Sequence, residues 1–340
     1  MKNAFFRLVF FLVLVPAVLF QLRHLSVPGG DSAWIVTLVE RPLYFFFRAP
    51  LVVVFHKALW LLLNGWGWSA GDCVSLSSAL AGGVFFWGLF RLSKNWRLWV
   101  PFLFSCIPWI FFGHQETYPW PFALSVWVFV FLKMRLRGRC GHFPLYLFLI
   151  LATFAHPMAF MLWPGVIFAQ RPWDREKLKP LLISIVITGL LLVVFLLFGK
   201  AGGLPQRKWV LPVFEVGRSL TRYPIFSWRH WMELGWFYLI SMPVGAFLLF
   251  RFGFREWRGW IGGLNVTVLV TIAWSLIWHP GMGYNDWDLF SWPGLFVNLA
   301  GGLAWSRASD SPQKRKGVLD APQNENSPPG IDPSGEFSSS

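Results

Sequence analysis

Leu51-Val-Val-Val-Phe-His-Lys-Ala-Leu-Trp-Leu-Leu-Leu63 decides how this chain is laid out. It is apolar enough to enter a membrane, but at about thirteen residues, with His56 and Lys57 inside it, it is too short to cross comfortably. If it crossed, every later loop would change sides. If it lies in the interface, the loops carrying Arg91, Lys94 and Arg97, then Lys133, Arg135, Arg137 and Arg139, then the basic residues of 171–179 and 251–258, and finally Lys314-Arg315-Lys316, all fall on one side. Cytoplasmic loops are the ones that carry excess Lys and Arg, so the interfacial reading is the consistent one.

Working outward, the composition says why a membrane is in question at all. The 340 residues are 55% hydrophobic and 19% aromatic, with a mean hydropathy of +0.51. A soluble domain could not cover that much apolar surface. The expectation is an all-α, polytopic transmembrane helical bundle of about ten membrane helices, two of them short. Residues 5–22 read as a retained first span, because the Gln21-Leu-Arg-His-Leu that follows is no signal-peptidase site. Residues 74–90, 98–112 and 121–132 follow as spans, and 143–155 and 158–169 as two short helices hinged at His156-Pro157. Residues 1–305 would form the membrane domain. Residues 306–340, rich in Ser, Pro, Asn and charge, would form a disordered cytoplasmic tail. Both termini are expected in the cytoplasm, and the location is a multi-pass protein of a bacterial-type inner or plasma membrane.

The net charge of +14 is explained by basic cytoplasmic loops rather than by nucleic acid, which is not an expected partner. Cys73, Cys106 and Cys140 lack metal-ligand spacing and read as free thiols. One loop dissents from the charge rule. Residues 199–230 fall outside yet carry Lys200, Arg207, Lys208, Arg218, Arg222 and Arg229, which a long translocated loop tolerates.

In this topology four polar clusters share the outer face: Asp31 with Glu40, His114 with Glu116, His156, and His279 with Asp286 and Asp288. Acids and imidazoles beside apolar helices are costly unless wet, paired or functional. Asp31, in Gly29-Gly-Asp-Ser32, is either an ordinary turn residue or a carboxylate that takes a proton from an acceptor hydroxyl. Glu116 stands between two apolar runs in Phe112-Gly-His-Gln-Glu-Thr-Tyr-Pro119, where prolines already end the helix without needing an acid. His156 either donates to a freed carbonyl or faces an acceptor.

Asp286 and Asp288 bracket Trp287. If that segment is extended the two carboxylates point one way and could hold sugar hydroxyls or a divalent cation, Mg or Mn; if it is helical they are a first-turn cap. Arg41, Arg48 and Lys57, with Arg207 and Lys208, suit a lipid-linked phosphate, or else anionic membrane lipids without chemistry. No P-loop, GxSxG, HExxH or GxGxxG appears.

An acid just after span one (Asp31), an interfacial helix in the same loop (51–63) and a second acidic motif in the next outer loop (His114-Gln-Glu116) together resemble the GT-C superfamily of polytopic membrane glycosyltransferases. The resemblance is one of layout across residues 1–305. It departs from the family in having a single first-loop acid, where a pair is frequent, and in lacking a soluble outer domain. It implies transfer of a sugar from a polyprenyl-phosphate donor at the outer face. Asp31 would be general base, with Glu116 assisting. His114, His156, His279, Asp286 and Asp288 would contact acceptor or sugar, and Arg41, Arg48, Lys57, Arg207 and Lys208 would hold the donor phosphate. Two other classes stay open: a lipid or solute transporter or flippase, which would show acids near mid-membrane and broken spans, and a non-catalytic envelope-assembly protein.

Overall fold

The computed structural model describes residues 2–26, 32–41, 49–199, 225–253, 256–278 and 283–319, and the described residues are helical throughout, with no strand. Among them, four helices have the length and composition to cross a membrane: α1 (Phe5–Leu25), α4 (Ala70–Leu92), α5 (Pro119–Leu136) and α11 (Gly259–Ile277). A fifth crossing results if α9 (Trp228–Ser241) and α10 (Pro243–Phe252), which meet at 84°, count as one broken span. That is fewer than the ten or so expected from apolar runs. Many of those runs are too short or too interrupted by proline to make a full-length helix.

The remaining helices are α2 (Ser32–Glu40), α3 (Pro50–Leu63), α6 (His142–Ala155), α7 (Leu162–Ala169), α8 (Arg175–Gly199) and α12 (Trp292–Leu319). Helix α3 is the deciding stretch. Its 14 residues rise about 21 Å, short of the hydrocarbon thickness, and it keeps Leu61, Leu62 and Trp66 exposed beside its end. The hinge at His156-Pro157 is present as expected, a 3₁₀ turn (Pro157–Met161) joining α6 to α7.

Residues 98–112 are not one continuous helix, although they lead from the Leu92 end of α4 to the loop at Gly113. Pro101 and Pro108 divide them into short turns (Val100–Leu103 and Ile107–Phe111), and the Ser105 hydroxyl bonds back to the carbonyl of Phe102. The amide of Cys106, left without a helical partner, donates 2.8 Å to the carbonyl of Ile240, which the α9–α10 break has freed. Asn298 closes the same junction by donating to the carbonyl of Ser241 at 2.8 Å. Helix α12 runs on past Trp305 to Leu319.

Close crossings carry the packing. A side chain at Gly165 on α7 would overlap the carbonyl oxygen of Gly263 on α11, and one at Gly263 would lie 2.5 Å from the carbonyl oxygen of Gly165. Small residues let backbones approach where lipid offers no hydrophobic drive. In α1, Pro16 cannot donate to the carbonyl four residues back and follows a π-helical turn (Phe10–Leu14); Gly83 on α4 accommodates the carbonyl of Phe11 there. Inside the helices, hydroxyls fold back on their own backbone, as Ser125 does to Pro121 and Thr153 to Leu149.

The bundle has two chemically distinct ends. At one, Lys133 donates to the Leu92 carbonyl at the end of α4, Arg7 lies over Phe90, and Arg307 of α12 pairs with Glu256. At the other lie the starts of α4, α5 and α12, the end of α11 and the His156 hinge.

Candidate functional site

The end away from the basic residues gathers segments far apart in sequence. Proline at 119 and 121 starts α5 and leaves residues 113–118 as a tight loop, with Gly113 at φ 71°. Two side chains of α4 and one of the loop hold it: Ser75 donates 2.9 Å to the carbonyl of Gly113, Ser78 to that of His114, and Gln115 reaches back 3.3 Å to the carbonyl of Gly71. The loop's ionisable residues are thereby turned inward, His114 and Glu116 both being buried.

His114 meets the far end of the chain. Its Nε2 lies 3.0 Å from Asp288 Oδ2, and Trp287 packs against its ring at 5.4 Å. The other Asp288 oxygen accepts the amide of Leu289 at 2.7 Å, within the first turn of the short helix Trp287–Phe290. Glu116 meets the first loop: Ser32 Oγ lies 3.5 Å from its Oε1. The His156 ring lies tilted against Tyr118 at 5.2 Å, and its Nδ1 accepts the amide of Met158 at 3.2 Å, so the ring caps the turn at the hinge.

A cavity of about 570 Å³ opens over this cluster, lined by Gln21, Arg23, His24, Ser26, Ser32, Asp72, Ser75, Gly113 and Gln115. Every one of these residues is polar, charged or glycine, in a chain that is 55% hydrophobic. Glu116 lies behind the wall, reached through Ser32. Asp72 belongs to the capping pair of α4, accepting from Ser69 Oγ at 2.6 Å while its amide donates to the same oxygen at 3.1 Å. Arg23 lies over the Phe20 ring at 4.3 Å and donates one N–H to the Phe20 carbonyl at 3.1 Å.

No known protein family, characterised protein or solved structure matches the chain. The site therefore stands on its own residues.

Of the residues singled out from sequence, His114, Glu116, His156, Asp286 and Asp288 lie at this one end. Asp31, Arg48, Arg207, Lys208 and His279 lie outside the described residues. Arg41 is exposed and Glu40 stands at the exposed end of α2. Lys57 is already engaged: its ammonium donates to the carbonyls of Val39 (2.5 Å) and Arg41 (2.8 Å), closing the end of α2.

The reading of Asp286 and Asp288 as a side-by-side pair is corrected. The segment is helical, with a 3₁₀ turn Gly283–Asp286 running into Trp287–Phe290, so residues two apart point to different sides. Asp288 has both oxygens engaged, and among the described residues no three His, Cys, Asp or Glu side chains converge as a metal site requires.

Sequence reasoning passed over Arg23, His24, Asp72 and Gln115. The signal for the first two was present in Gln21-Leu-Arg-His-Leu, a polar run ending an apolar helix. It also passed over Glu233, buried on α9 and paired with Arg229 at 3.0 Å.

Proposed function

We propose that the chain is a membrane glycosyltransferase that moves a sugar from a polyprenyl-phosphate donor to a hydroxyl acceptor at the end of the bundle opposite its basic residues. The observation that supports this best is a cavity whose described lining residues are all polar, charged or glycine, among helices of otherwise apolar character. A ligand dense in hydroxyls is matched by hydroxyl, amide and carboxylate groups, and a membrane-borne donor brings it to this depth. Both described ends lie at the basic end, with Arg7 near one and Arg307 near the other, which supports, by the positive-inside rule, a reading with cytoplasmic termini and the cavity on the outer face. In this reading α8 and the hinged pair α6–α7 complete the bundle with further membrane segments.

The reaction balances without a metal. A carboxylate takes the acceptor's proton as the acceptor oxygen bonds to the anomeric carbon. The bond from that carbon to the phosphate oxygen breaks, and polyprenyl phosphate leaves with the electron pair. Asp31 is assigned as the base on its peptide bond to Ser32, whose hydroxyl lies beside Glu116. Glu116 orients the acceptor. Arg23 and His24, at the cavity mouth, compensate the departing phosphate in place of Lys57, which is occupied.

The test is sugar transfer in membranes from wild type, Asp31→Asn, Glu116→Gln and Arg23→Gln. Loss of a base typically costs about a hundredfold or more. Unchanged turnover in Asp31→Asn removes Asp31 from the mechanism, and unchanged turnover in all three ends the proposal.

The interrupted segments that meet at Cys106 and Ile240 favour a second reading, a lipid or solute transporter, since broken helices mark many transport sites. The residues closing that junction, Cys106, Ser241 and Asn298, are buried and neutral, which ranks transport second. Substrate movement in proteoliposomes without covalent change would reverse the order.

A further inference from the structure

Helix α9 has two faces, and only one of them belongs to the bundle. His230, Glu233, Leu234, Phe237 and Ser241 recur at helical spacing and are buried. The opposite stripe, Trp228, Trp231, Met232, Trp236 and Leu239, is exposed, and three of its five side chains are indoles. A side chain added at Gly235, within this stripe, would meet nothing within 4 Å.

The docking of the inward face fixes how the helix lies. Near the start of α9, His230 Nε2 donates 2.9 Å to the carbonyl of Leu276, in the last turn of α11. Further along, Phe237 stacks on Phe290 at 4.7 Å, and the hydroxyl of Tyr238 meets that of Ser275. At the end, the Ile240 carbonyl accepts the amide of Cys106, and the Ser241 carbonyl accepts from Asn298, in the second turn of α12. From its first turn to its last, α9 therefore touches the close of α11 and the opening of α12, both at the polar end of the bundle.

Helix α10 behaves differently. It follows α12 toward the basic end, with Gly245 packed on Asn298 and Gly301 and with Phe252 in a cleft shared with Arg307. Since α9 stands at 84° to α10, it lies across the bundle rather than along it. The carbonyls released at the bend are taken by Cys106 and Asn298, so the chain turns there without leaving them bare in an apolar setting.

We infer that α9 is not half of a membrane span but a helix lying in the plane of the membrane, at the level of the lipid headgroups, with its indole stripe as a lipid-contacting surface. Tryptophan favours that layer, where hydrocarbon covers the ring and headgroups or water meet its N–H. A helix with one face docked on protein and an aromatic, apolar face left over is suited to that depth. This placement is independent of any reaction at the cavity.

Depth measured along the stripe tests it. The full chain carries Cys140→Ser, its other two cysteines being buried. Trp228→Cys, Met232→Cys, Gly235→Cys and Leu239→Cys are made singly, given a nitroxide and placed in phosphatidylcholine nanodiscs. Power saturation compares collisions with oxygen, which concentrates in lipid, and with a water-soluble nickel chelate. Phe6→Cys and Leu14→Cys, at exposed positions of α1, serve as the ruler, and Leu14 should lie deeper than Phe6 by about 12 Å on an upright helix.

The four α9 labels should all be reached by oxygen and should differ in depth by less than about 8 Å, half of the roughly 16 Å that an upright helix gives between Trp228 and Leu239. Each variant must match the parent chain in its unfolding midpoint, and three of the four positions suffice if one does not. A steady descent of about 16 Å would restore α9 as half of a span. Labels reached by the chelate alone, as on a face in water, or by neither reagent, as under a second copy of the chain, would overturn the lipid contact. Equal depths at Phe6 and Leu14 would overturn the placement of the bundle itself.

Discussion

His114 Nε2 and Asp288 Oδ2 lie 3.0 Å apart across a separation of 174 residues, with both side chains buried. The bond ties the loop before α5 to the turn before α12, the two segments that bring the polar end together. Removing the carboxylate leaves a buried imidazole nitrogen without its partner. Asp288→Ala is expected to cost about 1.5–3 kcal/mol. Asp288→Asn, which keeps a hydrogen-bonding group there, should cost less. A double-mutant cycle with His114→Phe, read from unfolding midpoints in detergent, checks this; additive losses would show that the pair is not coupled.

Lys57 makes a contrasting case, a cation assigned from sequence to a ligand and found holding the chain. Its ammonium satisfies two carbonyls at the end of α2. Lys57→Met should loosen α2 and increase proteolysis within residues 32–49, at a cost of about 1 kcal/mol. Arg23→Gln should do the reverse, sparing stability and raising the donor KM about tenfold with kcat less affected. Equal donor KM effects for the two variants would return Lys57 to the phosphate.

These two residues show where reading the sequence succeeds and where it stops. Hydropathy sufficed for a helical membrane protein, for α3 as a short apolar helix and for the hinge at His156, because lipid forces backbone pairing into local helices whose length can be counted. The sequence also suggested that His114, Glu116 and Asp288 belong together, since polar residues beside apolar helices need a shared reason. It could not show that Pro101 and Pro108 break a span whose freed amide finds Ile240, because that partner is a long-range contact. Nor could it show that Asp286 and Asp288 diverge, which depends on a helical turn that one Trp between two acids does not specify. The cavity's Arg23 and Asp72 were legible as residues but not as neighbours, since only the packing of α1 against α4 brings them together.

That packing style makes a prediction of its own. Gly165 and Gly263 cross so closely that either Cβ would meet the other's backbone, which cannot move aside as a flexible side chain can. Gly165→Val is expected to cost at least about 1–3 kcal/mol, visible as a lowered midpoint and loss of a monodisperse peak in detergent. Gly189→Val on α8 meets no atom within 4 Å of its Cβ and should be neutral. Similar losses at both positions would mean that the α7–α11 crossing is not this close.

His56 supplies the pH test. It sits on the short helix α3, fully buried, and among the described residues neither ring nitrogen has a hydrogen-bond partner. Burial pushes its pKa down from 6.5 to about 3, so the folded state holds the ring neutral while the unfolded chain protonates it at the ordinary value. Between those two values the unfolded state binds the extra proton. Stability from the neutral ring is therefore complete above about pH 6.5 and is lost progressively as pH falls toward 3. The slope contributed by one such group approaches about 1.4 kcal/mol per pH unit. Native carboxylates add a slope of the same sign at lower pH, so the informative window is pH 7 to 5. His56→Phe fills the same space without a titrating group and should flatten the midpoint against pH in that window. It should be no less stable than wild type at pH 7, because it removes two unsatisfied buried nitrogens. Parallel curves for wild type and His56→Phe would mean that the ring is reached by water or paired in the folded protein.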